Sequence, residues 1–167
     1  MNCAYTANMA NRKKKLATNF NNLAINKTAR LEYEILDTFE AGLVLEGHEV
    51  KSCKLGHINL RGSYAKFDKY GQIWLKETYI APYKPANLLQ YSATRERKLL
   101  LKKKELRKLF ELALTAGTSI IPLKIYVQRN FVKAVIALVR GKKKYDKRET
   151  IKKREIDSQI RQKMRMR

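Results

Sequence analysis

Charge sets the hardest condition on this chain. Thirty-seven lysines and arginines stand against 15 aspartates and glutamates, a formal net charge of +22 at pH 7 over 167 residues. Like charges at that density repel one another and oppose a compact state. A polyanion would relieve the strain by neutralising the field, and the candidates are nucleic acid, an anionic membrane surface or an acidic protein. The means to fold are present all the same. Apolar residues make up 44% of the chain, close to an ordinary globular protein, and the length suits one domain that needs no disulfide staples.

The membrane is the weakest of the three partners. No apolar run approaches the roughly 20 residues needed to span a bilayer. The first residues, MNCAYTANMANRKKKLATNF, carry a lysine cluster with no apolar stretch behind it, so they do not read as a secretory signal. They read as a mobile basic leader, with Met9 an alternative start to Met1. Cys3 and Cys53 are the only cysteines, too few for a disulfide framework, which fits a reducing, cytoplasmic setting.

Three regions follow: a disordered basic leader over 1–25, a folded domain over 26–140 and a charge-dense tail over 141–167. In the domain, residues 33–39 alternate as a strand, and Leu43, Gly47 and Val50 share one helical face that Gly56 terminates. A second strand is expected over Asn59–Asp68 and a third over Ile73–Ile80, joined by the turn Lys69–Gln72. A second helix is expected over Thr94–Thr115, burying Leu99, Leu106 and Leu109 and capped near Gly117. Ile120–Gln128 and Phe131–Arg140 complete the set as a hairpin turning at Arg129-Asn130. Trp74 and Phe67 read as core. About five strands and two to three helices suggest a small, mainly β barrel of the OB type, with an open α+β sheet as the alternative.

Chemistry for catalysis is hard to find. There is no glycine-rich phosphate loop and no Cys-x-x-Cys pair. Cys53, His57 and His48 fall short of four zinc ligands, so no metal or other cofactor is expected. No nucleophile sits in a recognisable elbow, and the chain reads as a binding protein and not an enzyme.

Two basic segments stand out. Arg95, Arg97, Lys98, Lys102–Lys104, Arg107 and Lys108 alternate with apolar residues at helical spacing, which gives a greasy side and a cationic side suited to phosphate; a merely solvated face is the alternative. The tail opens Gly141-Lys142-Lys143-Lys144-Tyr145-Asp146-Lys147-Arg148 and should be disordered when free, with too much charge and too little apolar surface. Further on, Ile156, Ile160 and Met164 recur at every fourth place, a narrow stripe that would fold on a target. Tyr145 among these cations could stack on an unpaired base.

Several long motifs in order then carry a likeness. They are Asn26-Lys27-Thr28-Ala29-Arg30, FEAGLVLEGHEVKS from Phe39, Asn59-Leu60 with Ser63-Tyr64-Ala65, Ile80-Ala81-Pro82-Tyr83, Arg97-Lys98-Leu99-Leu100-Leu101, Pro122–Tyr126, and Arg140–Lys143 through Asp146–Glu149. Over about residues 26–155 the chain resembles the SsrA-binding protein family, also called small protein B. It departs from the family pattern in the loop 85–94, at Glu96 and at Arg61-Gly62.

The resemblance implies an OB-type barrel that binds the tRNA-like part of transfer-messenger RNA. With elongation factor Tu and GTP, that pair would enter ribosomes stalled on messages lacking a stop codon, and the protein would catalyse nothing. It implies RNA-binding positions at Asn26, Glu40, Leu100 and Lys133, with Lys27, Arg30, Arg97 and Lys98 beside them. It also implies that Gly141–Arg148 enters the decoding centre and that the tail around Ile156 and Ile160 turns helical in the message channel. For Glu40 the alternative is a cap or dipole partner of the helix starting near it; for Leu100 it is the core.

Overall fold

A computed structural model describes residues 21–86, 91–143 and, in the tail, 145, 146, 148, 149, 155, 156, 159, 162 and 164. The described elements are β1 (Asn21–Ile25), α1 (Ala29–Glu32), β2 (Tyr33–Leu43), α2 (Gly47–Lys54), β3 (Ile58–Asn59), β4 (Tyr64–Phe67), β5 (Ile73–Lys76), β6 (Tyr79–Ile80), β7 (Arg97–Leu100), α3 (Lys103–Ala113), β8 (Thr118–Gln128) and β9 (Phe131–Gly141). Seven strands form one antiparallel sheet in the order β1-β8-β4-β5-β7-β2-β9, and β9 pairs back onto β8. Six strands thus close a small OB-like barrel, and β1 lies outside the ring on β8. Strands β3 and β6 form a separate pair. Closure pairs β9 back onto β8 and so leaves less open edge to invite pairing with other chains.

The β8–β9 hairpin turns where the sequence places it. Arg129 and Asn130 both take positive φ, 48° and 67°, as the two-residue turn matching strand twist requires. The β4–β5 turn also stands as expected: the Asp68 carboxylate accepts from the backbone N–H of Tyr70 (2.9 Å) and Gln72 (2.8 Å), and Gly71 has φ +72°.

The barrel interior is filled by Phe39, Ile73, Leu75, Leu99, Ile125 and Ile136 among others, and α3 closes one end with Leu109, which is fully buried. Each such side chain stabilises the fold by about 1.5–3 kcal/mol. Strand β9 is covered on both faces. Val132, Ala134, Ile136 and Leu138 point into the barrel, while Ala137 and Val139 join Ala29 and Ile121 in a second small cluster. This explains its nearly unbroken apolar run, FVKAVIALV.

Several expectations need correction. Asn21–Ile25, assigned to the leader, is a strand held by β8, because its backbone completes an edge that β8 would otherwise leave open; residues 1–20 lie outside the described residues. The expected strand over 59–68 is broken by a turn at Leu60–Ser63 with Gly62 at φ +77°. The expected strand over 73–80 breaks at Glu77, φ 55°. Leu43 ends β2 and is not on a helix, which begins at Gly47. The expected helix over 94–115 starts only at Lys103; Arg97–Leu100 is strand β7, paired with β5 and β2. Trp74 faces outward on β5, half-buried, with its indole N–H donating to Asp68 at 3.0 Å. The described tail residues are helical and exposed; Lys, Arg, Glu, Gln and Met all favour helical backbone.

Candidate nucleic-acid interface

Strand alternation and register bring distant residues side by side on the outer face of β7, β2, β9 and β8. Gly42 on β2 is opposite Leu100 on β7 and Lys133 on β9, and Lys133 is opposite Tyr126 on β8. One pleat away, Glu40 is opposite Val135, Val135 is opposite Lys124, and Lys124 is opposite Ile25. Glu40, Leu100 and Lys133, far apart in sequence, therefore share one surface. Leu100 is 53% exposed, so it is not core; Gly42 beside it presents no side chain that would bury it.

Hydrogen bonds organise the centre of this face. Tyr126 is 1% exposed although it sits on the outer side of the sheet, with the Lys124 ammonium 5.2 Å from its ring centroid. Its hydroxyl donates to Glu40 Oε1, and Lys133 Nζ donates to the same oxygen at 2.9 Å and to Gln128 Oε1 at 2.6 Å. The Tyr126 hydroxyl holds the Glu40 carboxyl below its ordinary range, partial burial opposes this, and Lys133 adds to the lowering. Burial pushes the Tyr126 phenol up, and the Glu40 charge pushes it further. Glu40 is thus an ionised acceptor in mid-strand. It does not cap a helix: α2 starts seven residues later, with Glu46 in the cap position.

A cleft of about 570 Å³ adjoins this centre, lined by Asn26, Lys27, Arg30, Thr38, Lys124 and Val135 among others. Lys27 and Arg30 are exposed. The Asn26 amide is used internally: Nδ2 donates to the Leu60 and Pro122 carbonyls (3.4 and 3.3 Å), and Oδ1 accepts from Thr28 (2.9 Å) and the Ala29 N–H (3.1 Å). Asn26 thereby pins the turn that aims Lys27 and Arg30.

Arg97 does not belong to the surface. It is fully buried, and all five of its N–H groups are taken. Nε donates to Glu49 Oε1 (2.9 Å), Nη1 to the carbonyls of Thr78 (2.7 Å) and Arg95 (2.9 Å), and Nη2 to the Tyr91 hydroxyl (3.1 Å) and the Ala93 carbonyl (3.0 Å). Its partner Glu49 is buried too and also binds Arg95 at 2.5 Å. Burial alone would raise the Glu49 carboxyl, but the bonds from Arg95, the Glu46 backbone and Arg97 bring it down to about 2. The pair ties α2 to the start of β7, a structural role. Lys98 stays half-exposed on the outer side of β7, two residues before Leu100. The cationic side of α3 is present: Lys103, Lys104, Arg107 and Lys108 are exposed, with Lys108 paired to Asp37 at 2.5 Å.

At the start of the tail the Lys142 N–H donates to the Glu32 carbonyl (3.0 Å) and its ammonium to the Arg30 carbonyl (3.1 Å), so the tail leaves beside α1. Tyr145 and Ile156 are exposed. Lys144, Lys147 and Ile160 lie outside the described residues. Among the described residues no three His, Cys, Asp or Glu side chains gather to hold a metal, and no helix is long and apolar enough to cross a membrane.

Reading the sequence overlooked Tyr126, Gln128 and Lys124. A signal existed: Lys124, Tyr126 and Gln128 are alternate residues of a strand and share its outer face.

A family model described as SmpB protein matches residues 23–166. An SsrA-binding protein of Streptococcus suis is 46% identical over 144 residues, covering 86% of this chain and 92% of that protein. One from Persephonella marina is 47% identical over 138 residues, covering 83% and 90%. A solved chain from "tmRNA-SmpB: a journey to the center of the bacterial ribosome" is 41% identical with a TM-score of 0.61, covering 77% of this chain and 93% of that one.

Proposed function

The chain belongs to the SmpB family of SsrA-binding proteins, and from that premise we propose that it binds the tRNA-like domain of transfer-messenger RNA and delivers it to ribosomes stalled on messages without a stop codon. The nascent chain is then tagged and the ribosome released. The observation that carries this reading is a family match running through barrel and tail together, over 23–166. The net charge of +22 supplies the attraction: lysines and arginines displace counterions from the RNA backbone, which gives affinity without sequence preference.

The division of labour follows from the chemistry. Lys27, Arg30, Lys98 and Lys133 contact phosphate, and Leu100 packs on a base or ribose. The tail from Gly141 through Lys142, Lys143, Lys144, Tyr145, Asp146, Lys147 and Arg148 serves the decoding centre, and the segment with Ile156 and Ile160 serves the message channel. There phosphates neutralise its charge and let it fold as a helix. Elongation factor Tu with GTP takes part through the RNA. The setting is the cytoplasm, and no step asks this protein for catalysis.

A gel-shift competition tests the reading. Labelled tRNA-like fragment is bound at near-physiological salt, with unlabelled fragment, duplex and single-stranded RNA as competitors. Strong competition by the folded fragment alone is expected. Equal competition by all three would make this a general basic RNA binder, such as a packaging protein.

A further inference from the structure

An RNA presents mostly phosphate, and a carboxylate repels phosphate. Glu40 nevertheless occupies the centre of the proposed face with its side chain 45% exposed. A cation there would have been simpler if charge were all that mattered. The bonds it accepts are uneven: Tyr126 and Lys133 both address Oε1. Oε2 accepts no hydrogen bond among the described residues.

Tyr126 is suited to holding such a group. Its side chain is buried and has less freedom to turn away than an exposed lysine. Its hydroxyl donates without adding a positive charge that would draw phosphate to the spot. Lys133, the other donor to Oε1, is itself tethered by Gln128. The result is a carboxylate whose rotamer is set before RNA arrives, so little side-chain entropy is lost on binding.

We infer that Tyr126 is a positioning residue that makes Glu40 a fixed acceptor, with Oε2 kept for a hydrogen-bond donor of the bound RNA, either an amino or imino N–H of an unpaired base or a ribose 2′-hydroxyl. This rests on the RNA-binding role proposed above. The pair favours an RNA fold that offers a donor at that point and penalises RNA that offers phosphate there, so it contributes selectivity beyond what the lysines provide.

The test uses the full chain as parent, Tyr126→Phe, Glu40→Gln and the double variant. Each is titrated with the tRNA-like fragment of transfer-messenger RNA and with an unrelated RNA duplex over a salt series, and each is checked for thermal unfolding. Each single change should weaken fragment binding roughly tenfold, the size of one lost charged hydrogen bond. Duplex binding should hold within about twofold for Tyr126→Phe, which changes no charge, and should not weaken for Glu40→Gln, which removes a carboxylate that repels phosphate; the salt slope should not fall in either, since no phosphate contact is removed. The double variant should lose no more than Glu40→Gln alone, because Tyr126 acts through Glu40. A fragment with 2′-deoxy substitutions in its loops identifies the donor: a base if the Glu40→Gln loss persists, the ribose hydroxyl if it vanishes. If either variant binds the fragment as tightly as the parent, or the two losses add, the inference is overturned while the RNA role stands. A parent without preference for fragment over duplex overturns the RNA role itself.

Discussion

Replacing Glu49 with Gln should destabilise the barrel by about 3 kcal/mol at neutral pH. Glu49 is fully buried and accepts five hydrogen bonds, from Arg95 Nε and Nη2, Arg97 Nε, the Tyr91 hydroxyl and the Glu46 backbone N–H. Glutamine keeps the shape but turns one acceptor into a donor facing donors and leaves the buried Arg97 without its counter-charge. Breaking a buried pair from one side typically costs about 3–5 kcal/mol. Proton linkage gives an independent figure: a carboxyl brought from 4.5 to about 2 on folding contributes about 3 kcal/mol above the unfolded value. The sign follows from that lowering. The contribution is complete above about pH 5 and is lost as pH falls through 4.5 toward 2. Urea denaturation followed by circular dichroism, on both proteins from pH 7 down to pH 3, reads it directly, and at pH 7 the melting temperature should fall by roughly 10 °C. The gap between the proteins should narrow as pH falls. A loss under about 1 kcal/mol, or a gap that ignores pH, would refute a buried, ionised Glu49. Glu49→Leu with Arg97→Met should cost less than Glu49→Gln, because the double change leaves no buried charge alone and Arg95 can turn to solvent.

Further outcomes follow from the same structure. Lys133→Ala should weaken binding to all RNAs and lower the salt slope by about one, in a titration over salt concentration. Ending the chain after Arg140 should spare fragment binding in the gel shift and abolish tagging in a translation assay with a message lacking a stop codon; tagging that survives would overturn the role given to the tail. Leu109→Ala should cost about 2–5 kcal/mol by chemical denaturation, because that side chain is fully buried between α3 and the barrel. Burial, with the nearby Glu49 charge adding to it, pushes the Cys53 thiol up to about 12. In a Cys3→Ser background the native protein should therefore resist Ellman's reagent at about pH 8 and react once unfolded.

What could be read in the sequence was what local chemistry controls. Asn130 after Arg129 between two alternating runs placed the β8–β9 hairpin, Lys69–Gln72 with Gly71 placed the β4–β5 turn, Gly56 placed the end of α2, and Lys103–Lys108 showed a cationic helix face. Net charge narrowed the partners, and the order of the motifs carried the family. Arg97–Leu100 could not be read the same way. Four residues are too short for alternation to outweigh the helical spacing of the leucines that follow, and what makes them a strand is pairing with β2 and β5. Arg97 looked like a surface cation because its partner Glu49 stands 48 positions away, and only the closed barrel brings α2 against β7. The same holds for the interface. Glu40, Leu100, Tyr126 and Lys133 are single residues on four strands, and sheet register alone puts them on one face. Chain chemistry acts over a few residues and so could be read directly; the juxtaposition of strands depends on how the whole sheet closes, and only the tertiary structure decided it.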